Sequence, residues 1–543
     1  MNKNFSMTAW GGVVYIFVLC LACHWMLPLN DGFFWDDNVY YGLIQGRHYA
    51  EFSRFILETG LPINILFFRG LDLFVGIANH RWVSFATIFL SALLLNSLFR
   101  RYGGEFKPLS LVFVSLYLTL FPFKSTVLLC TTVYQVMLLL FLLAVYVRVR
   151  YGAHDSPVIR FFALFVFSLL SFISFNTASI LVLYYFYMAF EYCCTQGFRR
   201  AAWSAQSMWS FVRRNLLVLL LPIIYWSVKN AFFPTHGLYV KYNQVSFDFG
   251  QIYFSISAFI STIFINGLFY GVVAKSQVLF FAIVFFFLVF MAFPRLLQWT
   301  CFDFPSLSLS RAGLLLWTLS FVIISALPYT LVPTAPRFQG WESRHTLLFT
   351  LSLPIFVLVV VIVYLDRIRS LSRMESMGVM FRPLIVCIAL TGVVGANMIY
   401  LDYQALAIKQ WSVVENLKVR PDLQRYSSFW IDDQVGDFSK NGFSWYEATH
   451  QSWYEWVAIF TRAWGREKWF GNNVDEPRAS SYKGVRFTAT DINPEGEECR
   501  LTLKNVTHYR KSELVLRYWF LKYFGTQAQL QQFLLSLVSI ESC

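Results

Sequence analysis

Two carboxylates stand side by side in the segment Gly32-Phe33-Phe34-Trp35-Asp36-Asp37-Asn38, a few residues past the first apolar run of the chain. A carboxylate beside a water-filled cavity can act as a general base, or it can bind a divalent cation such as Mg or Mn. Neighbouring residues on a helix point about 100° apart, so one acid can face a cavity while the other caps a helix or pairs with Arg47. Two ionised carboxylates this close raise each other's pKa unless a cation or an arginine sits nearby. A purely structural reading competes, because Asp at an N-cap before Val39-Tyr40-Tyr41 is an ordinary helix start. Placement is the unusual feature. Asp31, Asp36, Asp37, Glu51 and Glu58 crowd into 31–58, whereas acids are sparse in the rest of 1–401.

The chain that positions these acids is 57% hydrophobic, 19% aromatic and only 14% charged. A soluble protein is about 45–50% apolar and ~25% charged. Several apolar runs approach the ~20 residues that cross ~30 Å of hydrocarbon. The fold class is therefore a polytopic α-helical membrane protein; a β-barrel would show ~10-residue alternating segments. The net charge of +13 does not point to nucleic acid. Residues 402–543 carry equal numbers of basic and acidic side chains, so the whole excess lies in 1–401. There it gathers in short loops: Arg100, Arg101 and Lys107; Arg148, Arg150 and Arg160; Arg199, Arg200, Arg213 and Arg214; Arg367, Arg369, Arg373 and Arg382. This is the positive-inside pattern that sets membrane orientation.

These loops predict a topology. The first span covers 9–28 from an inside N-terminus and has no small-residue cleavage site, so it reads as an anchor. Further spans are expected at 83–99, 109–123 and 127–147, as two short spans within 161–190, and at 216–233, 312–332, 346–365 and 383–401. The stretch 253–293 is expected to supply one crossing plus an interfacial or re-entrant piece, which keeps Arg295 inside. The total is about eleven spans, in a range of roughly ten to thirteen. Residues 29–82 read as amphipathic helices on the outer face, with Arg69 and Asp72 spaced to pair on one helix side. The division is thus 1–401 as the transmembrane domain and 402–543 as a C-terminal extracytoplasmic domain of mixed α/β character. That domain mixes a helical pattern at 403–418 with strand-like runs at 484–489 and 499–503. It also holds Trp430, Trp445, Trp453, Trp456, Trp464, Trp469 and Trp519, which read as core or as glycan-stacking surfaces. Cys499 and Cys543 are its only cysteines and are a disulfide candidate.

A second polar cluster precedes the span at 346–365: Arg337-Phe338-Gln339-Gly340-Trp341-Glu342-Ser343-Arg344-His345. Arginine suits phosphate, being always charged and forked. Arg337, Arg344 and His345 can hold an anionic head group or simply anchor a span at the interface. Lys124 and Lys241, both expected outside, are further phosphate candidates, and Glu51 and Glu58 can orient an acceptor.

The layout resembles the GT-C glycosyltransferases. The resemblance lies in the inside N-terminus, the acid among aromatics after the first span, and the interfacial helices. It also lies in the step Ser343-Arg344-His345-Thr346-Leu347-Leu348 running on to Pro354, and in the terminal extramembrane domain. Some members carry an acid-x-acid form; here Asp36 and Asp37 are adjacent. The resemblance implies an inverting transfer from a polyprenyl-phosphate-linked sugar donor to a glycan or lipid acceptor. Asp36 or Asp37 would be the base, and Arg344, with Arg337 and His345, would stabilise the departing phosphate. It implies cell-envelope polysaccharide synthesis at a bacterial inner membrane, with a cytoplasmic N-terminus and a periplasmic C-terminal domain. Two other classes compete. A flippase or transporter for lipid-linked sugar predicts charges within spans and internal repeats. An O-antigen-type polymerase or ligase predicts a large central outer loop. A transport ATPase is not indicated, since no GxxxxGK[ST] is present. A reporter fused after Cys543 should read out on the periplasmic side; a cytoplasmic readout overturns the orientation.

Overall fold

The computed structural model of this chain describes residues 9–102, 109–120, 124–151, 204–240, 248–261, 311–330, 341–372, 378–435, 453–465, 470–473 and 497–542, with a few positions in 158–166. The expected spans within 161–190, most of 253–293, the strand at 484–489, and Arg337, Lys241, Cys543, Trp445 and Trp469 lie outside the described residues.

The described residues are mostly helical. Helix α1 (Ala9–His24) is followed by three short helices, α2 (Asp37–Gln45), α3 (Tyr49–Glu58) and α4 (Ile63–Phe74). Next come α5 (His80–Tyr102), α6 (Ser110–Thr119) and α7 (Thr132–Tyr151), then α8 (Ala205–Phe232) and α9 (Phe249–Ile260). Helices α10 (Arg311–Thr330), α11 (Phe349–Ser372) and α12 (Gly378–Lys418) complete the series. Among the described residues three helical stretches are long and apolar enough to cross a membrane: Ile77–Arg101, Leu129–Arg150 and Ala312–Thr330. Shorter apolar helices cover Trp10–His24, Ser110–Thr119, Leu219–Phe232, Phe249–Ile260 and Phe349–Tyr364.

Residues 29–82 form helices with an aromatic interior. Tyr40 of α2 meets Phe52 and Phe55 of α3 and Phe68 of α4, with ring centroids 5.6, 5.8 and 4.9 Å apart. Leu66, Leu73 and Phe74 of α4 stay exposed on the other side, so these helices are two-faced as the pattern predicts. Arg69 and Asp72 do not pair directly, and both turn to Tyr49. The guanidinium stacks on its ring at 4.9 Å, and Asp72 accepts its hydroxyl at 3.3 Å. The ring lets Arg69 remain exposed without losing its partner.

The expected boundary at 401/402 falls inside a helix. With 41 residues, α12 runs about 60 Å without a break. It packs on α1 and α6 at one end and on the C-terminal elements at the other. Those elements are β1 (Ser428–Asp433), α13 (Trp453–Trp464), β2 (Phe470–Asn473), β3 (Glu498–Asn505), α14 (Lys511–Phe524), α15 (Gln527–Leu535) and β4 (Val538–Ser542). The strands form a sheet in the order β2-β1-β3-β4, with β1 parallel to β2 and β3, and β4 antiparallel to β3. Parallel β1 and β2 need a crossover, and α13 supplies it. Strand β3 covers the expected run 499–503 and alternates buried Cys499, Leu501 and Leu503 with outward neighbours. Cys499 is disulfide-bonded, and the register Leu501 to Ser542 brings the chain's end toward it. Trp456 and Trp519 are buried in the core. Gly471 of β2 has no room for a side chain, because a Cβ there would lie 2.7 Å from Trp456 Cβ on α13.

The segment before α2 is sewn to its surroundings by Arg81, at the start of α5 and 1% exposed. Its Nε donates to the Val127 carbonyl at 2.8 Å, its Nη1 to Asn30 at 2.9 Å, and its Nη2 to Gly32. One fork thus joins residues 30–32 to residues 124–131. The C-terminal unit grips the same loop, since Asp31 accepts from Lys522 at 2.9 Å, from Tyr518, and from Gln404 at 3.1 Å. Lysine cannot copy the fork of Arg81. Arg81→Lys should therefore lower the thermal unfolding midpoint, at a cost of about 3 kcal/mol, while the exposed Arg54→Lys leaves it unchanged. Equal midpoints for the two variants would remove Arg81 from this role.

Candidate functional site

Asp36 stands at the N-cap position of α2, but its side chain makes no capping hydrogen bond. The helix-start reading thus leaves its carboxyl unexplained. The residue is half-buried, and the surrounding protein desolvates its carboxyl. Burial pushes its pKa up, and the charge of Arg344 pulls it part of the way back. A base with a raised pKa takes a proton more effectively near neutral pH.

Asp37 has a different environment. It is fully buried, and its Oδ1 accepts the Cys130 backbone N–H at 3.0 Å. Burial raises its pKa to about 6. The backbone at Leu129 and Cys130 and the charge of Arg81 oppose that shift. Its Oδ2 has no hydrogen-bond partner among the described residues. So the two acids divide: Asp37 fastens α2 to Cys130, and Asp36 makes no such bond and is the less buried residue.

Arg344 lies in a six-residue 3-10 segment, Trp341–Thr346, which packs against the 3-10 segment Lys124–Val127. That packing brings the backbone of Lys124 beside the arginine's segment. His345 is buried, with its ring against Tyr329 of α10 at 5.3 Å. Cys130 sits among Asp36, Asp37 and Arg344, close enough for all three charges to act on its thiol.

The structure therefore gathers Asp36, Asp37 and Arg344 around a centre that also contains Arg81 and Cys130. Glu51 and Glu58 lie apart on α3. Glu58 rests on the loop at 236–239, where its Oε2 fills the space beside Gly237, and its carbonyl accepts the His236 N–H at 3.1 Å. Arg47 is exposed past the far end of α2 and does not meet the acids. Asp36 and Asp37 face different partners, and among the described residues no group of three or more His, Cys, Asp or Glu could hold a metal.

Sequence reasoning missed Arg81, Cys130, Glu455 and Arg462. For Arg81 a signal exists: it stands in His80-Arg81-Trp82 at the head of a membrane-length apolar run, where a charge needs a reason. The others belong to the site only through contacts distant in sequence.

No protein-family model, curated protein or solved structure matches this chain. The chemistry of the site rests on its own residues.

The split between the acids has a measurable sign. A carboxyl whose folded pKa lies above its ordinary value favours the folded state when protonated. Its contribution is complete below about pH 4 and is lost as pH rises through about 6. Asp37→Asn should thus stabilise the protein at pH 7, by an amount on the order of 3 kcal/mol. The gap between variant and wild type should close as pH falls from 6 to 4. A gap that is constant over this range in thermal unfolding contradicts the assignment.

Proposed function

We propose that this protein is an integral-membrane glycosyltransferase of the GT-C kind. It would move a sugar from a polyprenyl-phosphate-linked donor to an acceptor hydroxyl at the outer membrane face, with inversion. The observation that carries this reading is the placement of a desolvated carboxyl, on the half-buried residue Asp36, in the field of Arg344. Acid and arginine sit next to the ends of membrane-length helices, where a lipid-borne phosphate can arrive.

The polytopic arrangement of about eleven spans belongs to the same proposal. So do an inside N-terminus, a C-terminal domain on the extracytoplasmic side, and a bacterial inner membrane. The exposed apolar side of α4, with Leu66, Leu73 and Phe74, then rests in the outer interface.

In the proposed step Asp36 takes the proton from the acceptor hydroxyl. The acceptor oxygen bonds to the anomeric carbon from the face opposite the phosphate. The bond from that carbon to the phosphate oxygen breaks, and the electron pair leaves with polyprenyl phosphate. Negative charge grows on the phosphate as the bond breaks. A fixed guanidinium in a dry site stabilises that growth without reorganising. Arg344 fills this role, with His345 and the segment beginning at Lys124 forming its wall. Asp37 and Arg81 hold the framework and take no part in proton transfer.

The test uses the full-length protein in lipid nanodiscs and a panel of undecaprenyl-phosphate-linked hexoses and pentoses. Asp36→Asn should lower turnover by about 10²–10⁴-fold, the usual value of a general base. Arg344→Ala should lower turnover and weaken binding of undecaprenyl phosphate. Asp37→Asn should keep most of its turnover. Full activity in Asp36→Asn removes the base, and movement of a lipid-linked sugar between leaflets without transfer would favour a flippase.

A further inference from the structure

The turn that carries Asp36 is strained and is held in place by the C-terminal unit. Trp35, the residue before the acid, has φ 48°, in the left-handed region that a bulky side chain avoids. Strain of this kind persists only where the surroundings enforce it, and it collects at functional sites.

The enforcing contact comes from α13. The Trp35 N–H donates to Glu455 Oε1 at 2.8 Å, across 420 residues of sequence, and Glu455 is 3% exposed. Arg462, two turns along α13, donates from Nη2 to Asn38 Oδ1 at 2.7 Å. Asn38 in turn donates to the carbonyls of Phe33 at 3.3 Å and Trp35 at 3.2 Å. The guanidinium of Arg462 also covers the rings of Phe33 and Trp411. Gln410 of α12 completes the grip, donating to the Phe33 carbonyl at 2.9 Å. Residues 33–35 and 38 are anchored to α12 and α13, and Asp36 lies between the anchors.

Resting on the transferase reading above, we infer that Glu455 and Arg462 are positioning residues, through which the C-terminal unit sets the aim of Asp36. Glu455 touches the acid's turn and not the reacting atoms. A small loss of aim is expensive, because a misplacement of about 1 Å can cost 10²-fold in rate. The bond needs an acceptor oxygen and no charge, so glutamine at 455 can replace glutamate.

The experiment compares Glu455→Ala, Glu455→Gln and Asp36→Asn, singly and combined, in full-length protein in nanodiscs. Turnover is measured on the undecaprenyl-phosphate-linked sugar that wild type uses, and binding on undecaprenyl phosphate. Glu455→Ala should lower kcat about tenfold or more, with KM for the donor and undecaprenyl phosphate binding nearly unchanged. Glu455→Gln should restore kcat. In the Asp36→Asn background Glu455→Ala should add nothing, since it acts through the acid. A further loss there by the same factor, or full kcat in Glu455→Ala, overturns the inference.

Two measurements keep the test decisive. Hydrogen exchange in peptides covering 33–38 should quicken in Glu455→Ala, and unchanged exchange overturns the clamp whatever the activity. If Glu455→Ala fails to fold, Trp35→Gly provides a relaxed turn, because glycine takes positive φ freely. Glu455→Ala should then fold and cost little turnover on top of Trp35→Gly; a full cost there contradicts the role of strain. Should wild type transfer no sugar from the panel, the transferase reading falls; should Asp36→Asn keep full turnover, only the base assignment falls; in both cases the exchange result still decides the clamp.

Discussion

A single buried guanidinium ties the segment before α2 to the segment between α6 and α7. Arg81 fills its fork with the carbonyls of Asn30, Gly32 and Val127 and lends its charge to Asp37. Such a cation is tolerable in a dry interior only when its hydrogens are matched. Matching them requires residues 30–32 and 127 to converge, and this brings the segment before α2 onto the segment between α6 and α7. The position of Asp36 follows from that convergence, because its neighbour Asp37 is fixed to Cys130.

The second constraint comes from the C-terminal unit. α12 carries the membrane part directly into it, so the two share a rigid axis and no linker. Buried ion pairs reinforce the axis: Lys511 with Asp402 at 2.7 Å, and Lys409 with Asp433. From this base α13 and α14 reach back to Trp35, Asn38 and Asp31. The acid's turn is gripped by Glu455 and Arg462, and the residues just before it by Arg81. A site held in this way is preorganised, as charge stabilisation in a reaction demands.

Much of this was legible in the chain, and the reason is periodicity. Apolar runs near membrane length mark α5, α7 and α10. The two-faced pattern of 29–82 marks the outer helices, and the alternation at 499–503 marks β3. The sequence already suggests Asp36 and Arg344 as partners, and the charge of Arg344 acts on the Asp36 carboxyl. Other features depend on tertiary placement. Which acid is tied down is set by the Cys130 backbone, not by spacing along α2. Glu455 and Arg462 carry no local signal, since their partners are more than 400 residues away. The expected boundary at 401/402 lies within α12, whose backbone runs on without a break from apolar into more polar sequence. The pairing of Arg69 with Asp72 was close, but Tyr49 intervenes.

The central claim is that a lipid-borne phosphate meets Arg344 on the same side as Asp36. An experimental density map of the full-length protein in nanodiscs with undecaprenyl phosphate tests it most directly. The account predicts phosphate density in hydrogen-bonding reach of Arg344, with Asp36 facing the open space beside it. Phosphate bound at the arginine-rich loops of the opposite face, with the space between Asp36 and Arg344 closed, would contradict it.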